Sequence, residues 1–63
     1  MYKYKNLHIY RIKLKLSQQQ VAQILNITRQ QYALYESGKR EIPVHKLKQL
    51  AEYYGVSMDY LTE

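Results

Sequence analysis

Leu7, Tyr10 and Leu14 recur at steps of three and four, the spacing of one buried face of a helix. The same spacing returns at Val21, Ala22 and Leu25, and again along Val44, Leu47, Leu50, Ala51 and Tyr54. Residues that start and stop helices stand between these stripes. Asn6 can cap the first helix, and Leu16 anchors its end. Ser17 can cap a second helix, because its hydroxyl accepts from the unpaired N–H groups of a first turn. Asn26 tolerates the left-handed conformation that ends a helix, and Ile27 after it can plug the angle between two helices. Thr28 is the next cap, with a helix over residues 29–36 that Gly38 stops. Pro43 opens a fourth helix at a position where its missing N–H is harmless; Gly55 ends it, and Ser57 caps a short fifth helix, MDYL. The pattern predicts an all-α domain, a compact bundle of five short helices, spanning residues 1–63 as one unit.

The third predicted helix has two unlike faces. At about 100° per residue, Tyr32, Tyr35 and Glu36 fall on one side, and Arg29, Gln30, Ala33, Leu34 and Ser37 on the other, with Gln31 on the flank. The first side suits packing. The second carries a cation, an amide, a methyl, an isobutyl and a hydroxyl, and no carboxylate. Arg can bond guanine bidentately, Gln can bond adenine bidentately, and Ala or Leu can touch a thymine methyl. Arg29, Gln30, Ala33 and Leu34 are therefore the candidate base-contacting residues.

Residues 17–36, SQQQVAQILNITRQQYALYE, resemble the helix-turn-helix of the phage repressor/Cro class, the XRE-like family. The likeness continues through ESGKR at 36–40 and LAEYYGVSMDYL at 50–61, from about Leu7 onward. It implies a lambda-repressor-like fold and a transcriptional regulator, most simply a repressor, that reads double-stranded DNA with its third helix. It implies a two-fold operator and a homodimer at least on DNA. It also implies that Arg11, seven residues before the first Gln of the second helix, pairs with Glu36. An arginine suits that task, since its fork can bond a partly buried carboxylate bidentately. Gln18, at the start of the second helix, is implied to sit near the duplex backbone, where an amide and a helix N-terminus can bond phosphate. Thr28, Gln31, Ser37, Lys39 and Arg40 complete the expected phosphate contacts.

Charge fits this picture. The 63 residues carry a net charge of +5, and through Arg40 there are eight Lys or Arg against one acid, Glu36. From Glu41 onward there are two lysines and four acids. A basic front suggests one polyanion-facing surface. Residues 1–6, MYKYKN, read as a loose basic arm in which Lys3 and Lys5 can touch phosphate. The chain has no cysteine, hence no disulfide and no thiolate metal site. No apolar run reaches the roughly 18 residues of a membrane span. The reading is a cytoplasmic, nucleoid-associated protein without cofactor or metal. A chain this short buries only about 60% of its unfolded surface, so its core is thin.

An enzyme is disfavoured. His8 and His45 are far apart in sequence with no ligand partner at metal spacing, and Ser17, Ser37 and Ser57 have cap or terminus roles. Eight tyrosines are spread over the helices, with no evident cluster that would form a stacking platform for single strands. One departure from the resemblance keeps a second reading open. Family members often carry a polar or basic residue where this chain has Leu34, beside Ala33. Two apolar groups on that face fit A·T-rich sites, weaker DNA binding, or a protein partner, as in an antitoxin or antirepressor-like module. Ile24 fits either edge core or a contact with another subunit.

Overall fold

A computed structural model describes residues 4–63 of the chain. The described residues form five helices and no strand: α1 (Lys5–Lys13), α2 (Gln18–Leu25), α3 (Arg29–Ser37), α4 (Val44–Tyr54) and α5 (Met58–Thr62). The expected all-α bundle is the observed one. α2 packs on α3, α1 lies against α5 and α3, and α4 closes against α5 and α2. Leu7, Val21, Ala22, Leu25, Tyr32, Leu50 and Leu61 are fully buried at the centre.

Three of the four joints between helices are built alike. Each is a residue in the left-handed conformation, then an aliphatic residue, then a Ser or Thr cap: Lys15-Leu16-Ser17, Asn26-Ile27-Thr28 and Gly55-Val56-Ser57. The φ values of the first residues are 59°, 58° and 73°. In each joint two backbone N–H groups turn back onto the carbonyls of the helix just ended. Lys15 and Leu16 donate to Ile12 and Arg11, Asn26 and Ile27 to Gln23 and Ala22, Gly55 and Val56 to Glu52 and Ala51. This Schellman pattern satisfies carbonyls that the helix end would otherwise leave unpaired. The aliphatic residue, Leu16, Ile27 or Val56, then packs against the core. The cap hydroxyl of Ser17, Thr28 or Ser57 accepts the backbone N–H three residues on. In α2 and α3 the bond is reciprocated. Gln20 Oε1 accepts from the Ser17 N–H at 2.8 Å, and Gln31 Oε1 from the Thr28 N–H at 3.4 Å. These are capping boxes, and they give Gln20 and Gln31 roles beyond solvated surface.

Several expectations are corrected. Asn6 does not cap α1. It lies inside the helix and donates from Nδ2 to the Tyr60 carbonyl at 2.7 Å, tying α1 to α5; the cap position is Tyr4, with no side-chain bond. Leu14 is not in the buried stripe but 42% exposed, because α1 ends at Lys13 and the chain turns away at Lys15. Val44 is 71% exposed, since the stripe of α4 meets the core only from Leu47 onward. Pro43 is the cap of α4 rather than its first residue, a shift of one position. Lys5 opens α1 instead of belonging to an arm, and Lys3 lies outside the described residues. The tyrosines are also less scattered than their spacing suggests. Tyr10 stacks on Tyr54 with centroids 4.9 Å apart and meets Tyr60 edge-on at 6.0 Å. The ring planes stand at 36° and 83° to one another, so these three do not form a flat platform for bases.

Candidate nucleic-acid interface

The position of α3 is fixed from its inward side. Glu36, near its C-terminal end, is fully buried. Arg11 from α1 donates through Nε to Oε1 at 2.8 Å and through Nη2 to Oε2 at 3.1 Å. The Tyr32 hydroxyl, one turn earlier on α3, donates to Oε1 at 2.9 Å. Gln18 from α2 donates its amide to Oε2 at 3.0 Å, and His8 Nδ1 lies 3.3 Å from the same oxygen. Arg11 also donates to the Leu16 carbonyl at 2.8 Å, so one guanidinium spans the α1–α2 joint and α3. Burial by itself pushes the Glu36 carboxyl up. The bonds from Arg11, Gln18 and Tyr32, with the Arg11 charge, outweigh it and hold the group below its ordinary value. The same bond raises Arg11, against the opposing effect of burial. Burial drives the Tyr32 phenol well above its usual range, with the Glu36 charge adding to it. Glu36 is thus a fixed anion enclosed by donors, not an acid or base for chemistry.

Arg11 and Glu36 are therefore brought together, with three further partners that the sequence reading did not assign to them. The signal was present for two: Tyr32 and Glu36 stand four apart on a helix, and His8 and Arg11 three apart. Gln18 had no such local signal, because its bond to Glu36 depends on how α2 crosses α3. Gln18, expected at the duplex backbone, is half-buried and turned inward. Its carbonyl oxygen accepts from Arg29 Nη1 at 3.5 Å. Arg29 and Glu36 are seven residues apart, two helical turns on nearly the same azimuth, and Gln18 bridges the space between them. Arg29 therefore stands at the edge of the outward face rather than at its centre.

The rest of that face is disposed as follows. Arg29, Gln30 and Gln31 are exposed, and Ala33, Leu34 and Ser37 are half-buried. The Gln30 amide bonds to no other described residue. The Gln31 amide is engaged in the capping box. The Thr28 hydroxyl oxygen accepts from the Gln31 N–H at 3.1 Å, which leaves its proton free to donate outward. Ser37 Oγ donates to the Leu34 carbonyl at 3.2 Å. Lys39 and Arg40 are exposed in the loop after Gly38, and the Arg40 N–H donates to the Leu34 carbonyl at 3.2 Å, which holds the loop against the end of α3. On the other side, α4 fixes the end of α2: Lys46 Nζ donates to the Leu25 carbonyl at 2.5 Å and Gln49 Nε2 to the Ile24 carbonyl at 2.9 Å. A cation at a helix C-terminus is favourable.

Residues 7–61 match the family described as Helix-turn-helix. The chain belongs to this helix-turn-helix family. Within it, the chain is 49% identical over 45 residues to the SPbeta prophage-derived HTH-type transcriptional regulator YonR of Bacillus subtilis, a match that covers 71% of this chain and 42% of that protein. It is 43% identical over 56 residues to the HTH-type transcriptional regulator YqaE of the same organism, covering 89% of this chain and 48% of that one. A crystal structure of a transcriptional regulator from Listeria innocua superimposes with a TM-score of 0.88 at 30% identity, over 98% of this chain and 59% of that one. The helix-turn-helix chain thus spans about half the length of the curated relatives it matches. The family and these relatives are regulators, not enzymes. Among the described residues no helix is long and apolar enough to cross a membrane.

Proposed function

We propose that this helix-turn-helix chain is a sequence-specific, double-stranded-DNA-binding transcriptional regulator that lays α3 in the major groove, acting in the cytoplasm as a repressor of the phage repressor/Cro type. One observation carries the reading. The inward side of α3 is saturated with bonds, whereas its outward side presents Gln30 and Arg29 to solvent with no carboxylate among them. Gln30 reads a base edge, most simply adenine through its bidentate amide, and Arg29 reads guanine from the edge that Gln18 buttresses. Ala33 and Leu34 are half-buried and offer methyl-sized contacts at the groove floor. Thr28, Lys39 and Arg40 set the register by bonding phosphate, with Gln31 Nε2 acting from the first turn of α3; Gln18 and Ser37, bonded to Glu36 and to the Leu34 carbonyl, hold the helix instead. Two copies bind half-sites about 34 Å apart, one helical turn of DNA. The limited exposure of Leu34 leaves little apolar area on this face for a protein partner in place of DNA.

The test is selection from random duplex DNA at low and high salt. The expected product is a paired motif one turn apart, bound with a steep salt dependence. Retention that is salt-sensitive but yields no motif overturns sequence-specific reading.

A further inference from the structure

Lys15 stands in a backbone conformation that its side chain does not favour. Its φ is 59°, in the left-handed region, where an L side chain crowds the following carbonyl. The two joints of the same build place Asn26 and Gly55 there, residue types that enter this region more readily. α3 likewise stops at a left-handed Gly38. Glycine at position 15 would make the same turn with less strain. A residue held off its preferred backbone points to a task for its side chain. No contact within the domain is that task. Lys15 is exposed, and its ammonium bonds to no other described residue, unlike that of Lys46, which donates to the Leu25 carbonyl.

The place of the joint decides what this cation can reach. The Lys15 and Leu16 N–H groups donate to Ile12 and Arg11, and Arg11 donates to the Leu16 carbonyl, so the turn is pinned from both sides. Three residues on, Gln18 lies between Glu36 and Arg29 on the α2 flank of α3. Three residues span at most about 11 Å, which puts Lys15 beside that flank. The polar side chains already there are engaged internally: Gln18 with Glu36 and Arg29, and Arg11 with Glu36 and the joint. Lys13 is drawn aside, with Nζ 5.2 Å from the Tyr10 ring centroid. At this end of α1, Lys15 is the cation left open.

We infer that Lys15 is a further DNA-binding residue, whose ammonium meets a backbone phosphate on the α2 flank of the reading helix, while Lys39 and Arg40 act from the loop that follows α3. A compact point charge suits a phosphate oxygen, and a pinned turn has little backbone freedom left to lose on binding. The inference rests on the proposed reading of duplex DNA and adds to it a residue that recognises no base.

The test compares the parent chain with Lys15→Gly, Lys15→Asn and Lys15→Arg, by urea denaturation and by titration against two duplexes of equal length and unrelated sequence at several salt concentrations. Gly and Asn both suit the turn, so their urea midpoints should equal or exceed the parent's. Both should nevertheless bind each duplex about three- to tenfold more weakly at low salt, with the salt slope lower by about one per bound copy. The gap to the parent should narrow about threefold per bound copy for each fourfold rise in salt. Lys15→Arg should bind as the parent does. A fold that holds or gains while binding falls is a signature that a merely structural lysine does not give. If the parent binds and Lys15→Gly matches it in affinity and salt slope, the assignment of Lys15 fails and the DNA reading stands. A loss confined to one duplex, or one that Lys15→Arg shares, also overturns the phosphate contact. A parent chain that binds neither duplex overturns the assignment together with the reading beneath it.

Discussion

The two sides of α3 differ in how far their polar groups are already engaged. On the inward side, Glu36 receives Arg11, Tyr32 and Gln18, with His8 alongside. On the outward side, Gln30 bonds to no other described residue, and Arg29 holds only a long contact to Gln18. Both sides are polar, so hydropathy does not separate them. Engagement does. A buried polar group must be bonded to be tolerated, whereas an exposed amide left open can bond a ligand without first breaking an internal bond. The contrast distinguishes residues that build the domain from residues available to a partner.

Replacing Glu36 with Ala should break this contrast most severely. It leaves the Arg11 cation buried without its counter-ion, at a cost of about 3–5 kcal/mol, to be read from urea denaturation. In a domain this small that is a large share of its stability. The same carboxylate gives the fold a pH dependence with a definite sign. Its folded value lies below the ordinary 4.5, so the stabilisation is present above that value and is lost as pH falls through the folded value. Glu36→Gln should flatten that acid limb relative to the parent chain when denaturation is repeated between neutral and acid pH.

Two phenols sharpen the comparison within the buried side. The Tyr32 hydroxyl is bonded to a carboxylate, so Tyr32→Phe should cost about 1.5–3 kcal/mol in the same denaturation series. The Tyr54 hydroxyl is buried without a partner among the described residues, and burial pushes its phenol up to about 12. Tyr54→Phe should therefore leave stability unchanged or raise it slightly, and a loss as large as that of Tyr32→Phe would show that the hydroxyl is bonded after all.

On the outward side, Gln30→Ala should leave denaturation within about 0.5 kcal/mol of the parent. It should cost about 1–3 kcal/mol in DNA affinity and relax preference at one base pair; an unchanged sequence profile removes Gln30 from the reading face. The smallest effect belongs to Lys39→Ala. It should weaken all sequences alike and lower the salt slope by about one, measured by titration against duplexes at several salt concentrations.

The caps show what the sequence discloses. Ser17, Asn26, Thr28, Gly38, Gly55 and Ser57 were all legible, because a cap is decided by the chemistry of a few neighbouring residues. Gln30, Ala33, Leu34 and Ser37 were placed on the outward face of α3 by helical periodicity, whereas Arg29, two turns from Glu36 and bridged to it by Gln18, was put on the wrong side. Lys15 was not legible, because lysine has no preference for the left-handed conformation it adopts; the joint it belongs to imposes it. The bond from Gln18 to Glu36, the bond from Asn6 to Tyr60, and the exposure of Val44 were not legible either. Each depends on where a different helix lies, and periodicity along one helix is silent on that.

The three like joints bear on the order in which the chain acquires its structure. Each reversal is settled by three consecutive residues and closes almost no loop, so it forms on the timescale of a helical turn, about a microsecond or less. The exception is the seam between the ends, where Asn6 must find Tyr60 across 54 positions of sequence. Joining segments that far apart carries the loop-closure entropy that local contacts avoid. The α1–α5 seam is thus the step on which the rate of the whole process should turn, and cutting the chain after Gly55 would remove that seam while leaving the joints at Lys15 and Asn26 and the packing of α2 on α3 able to form.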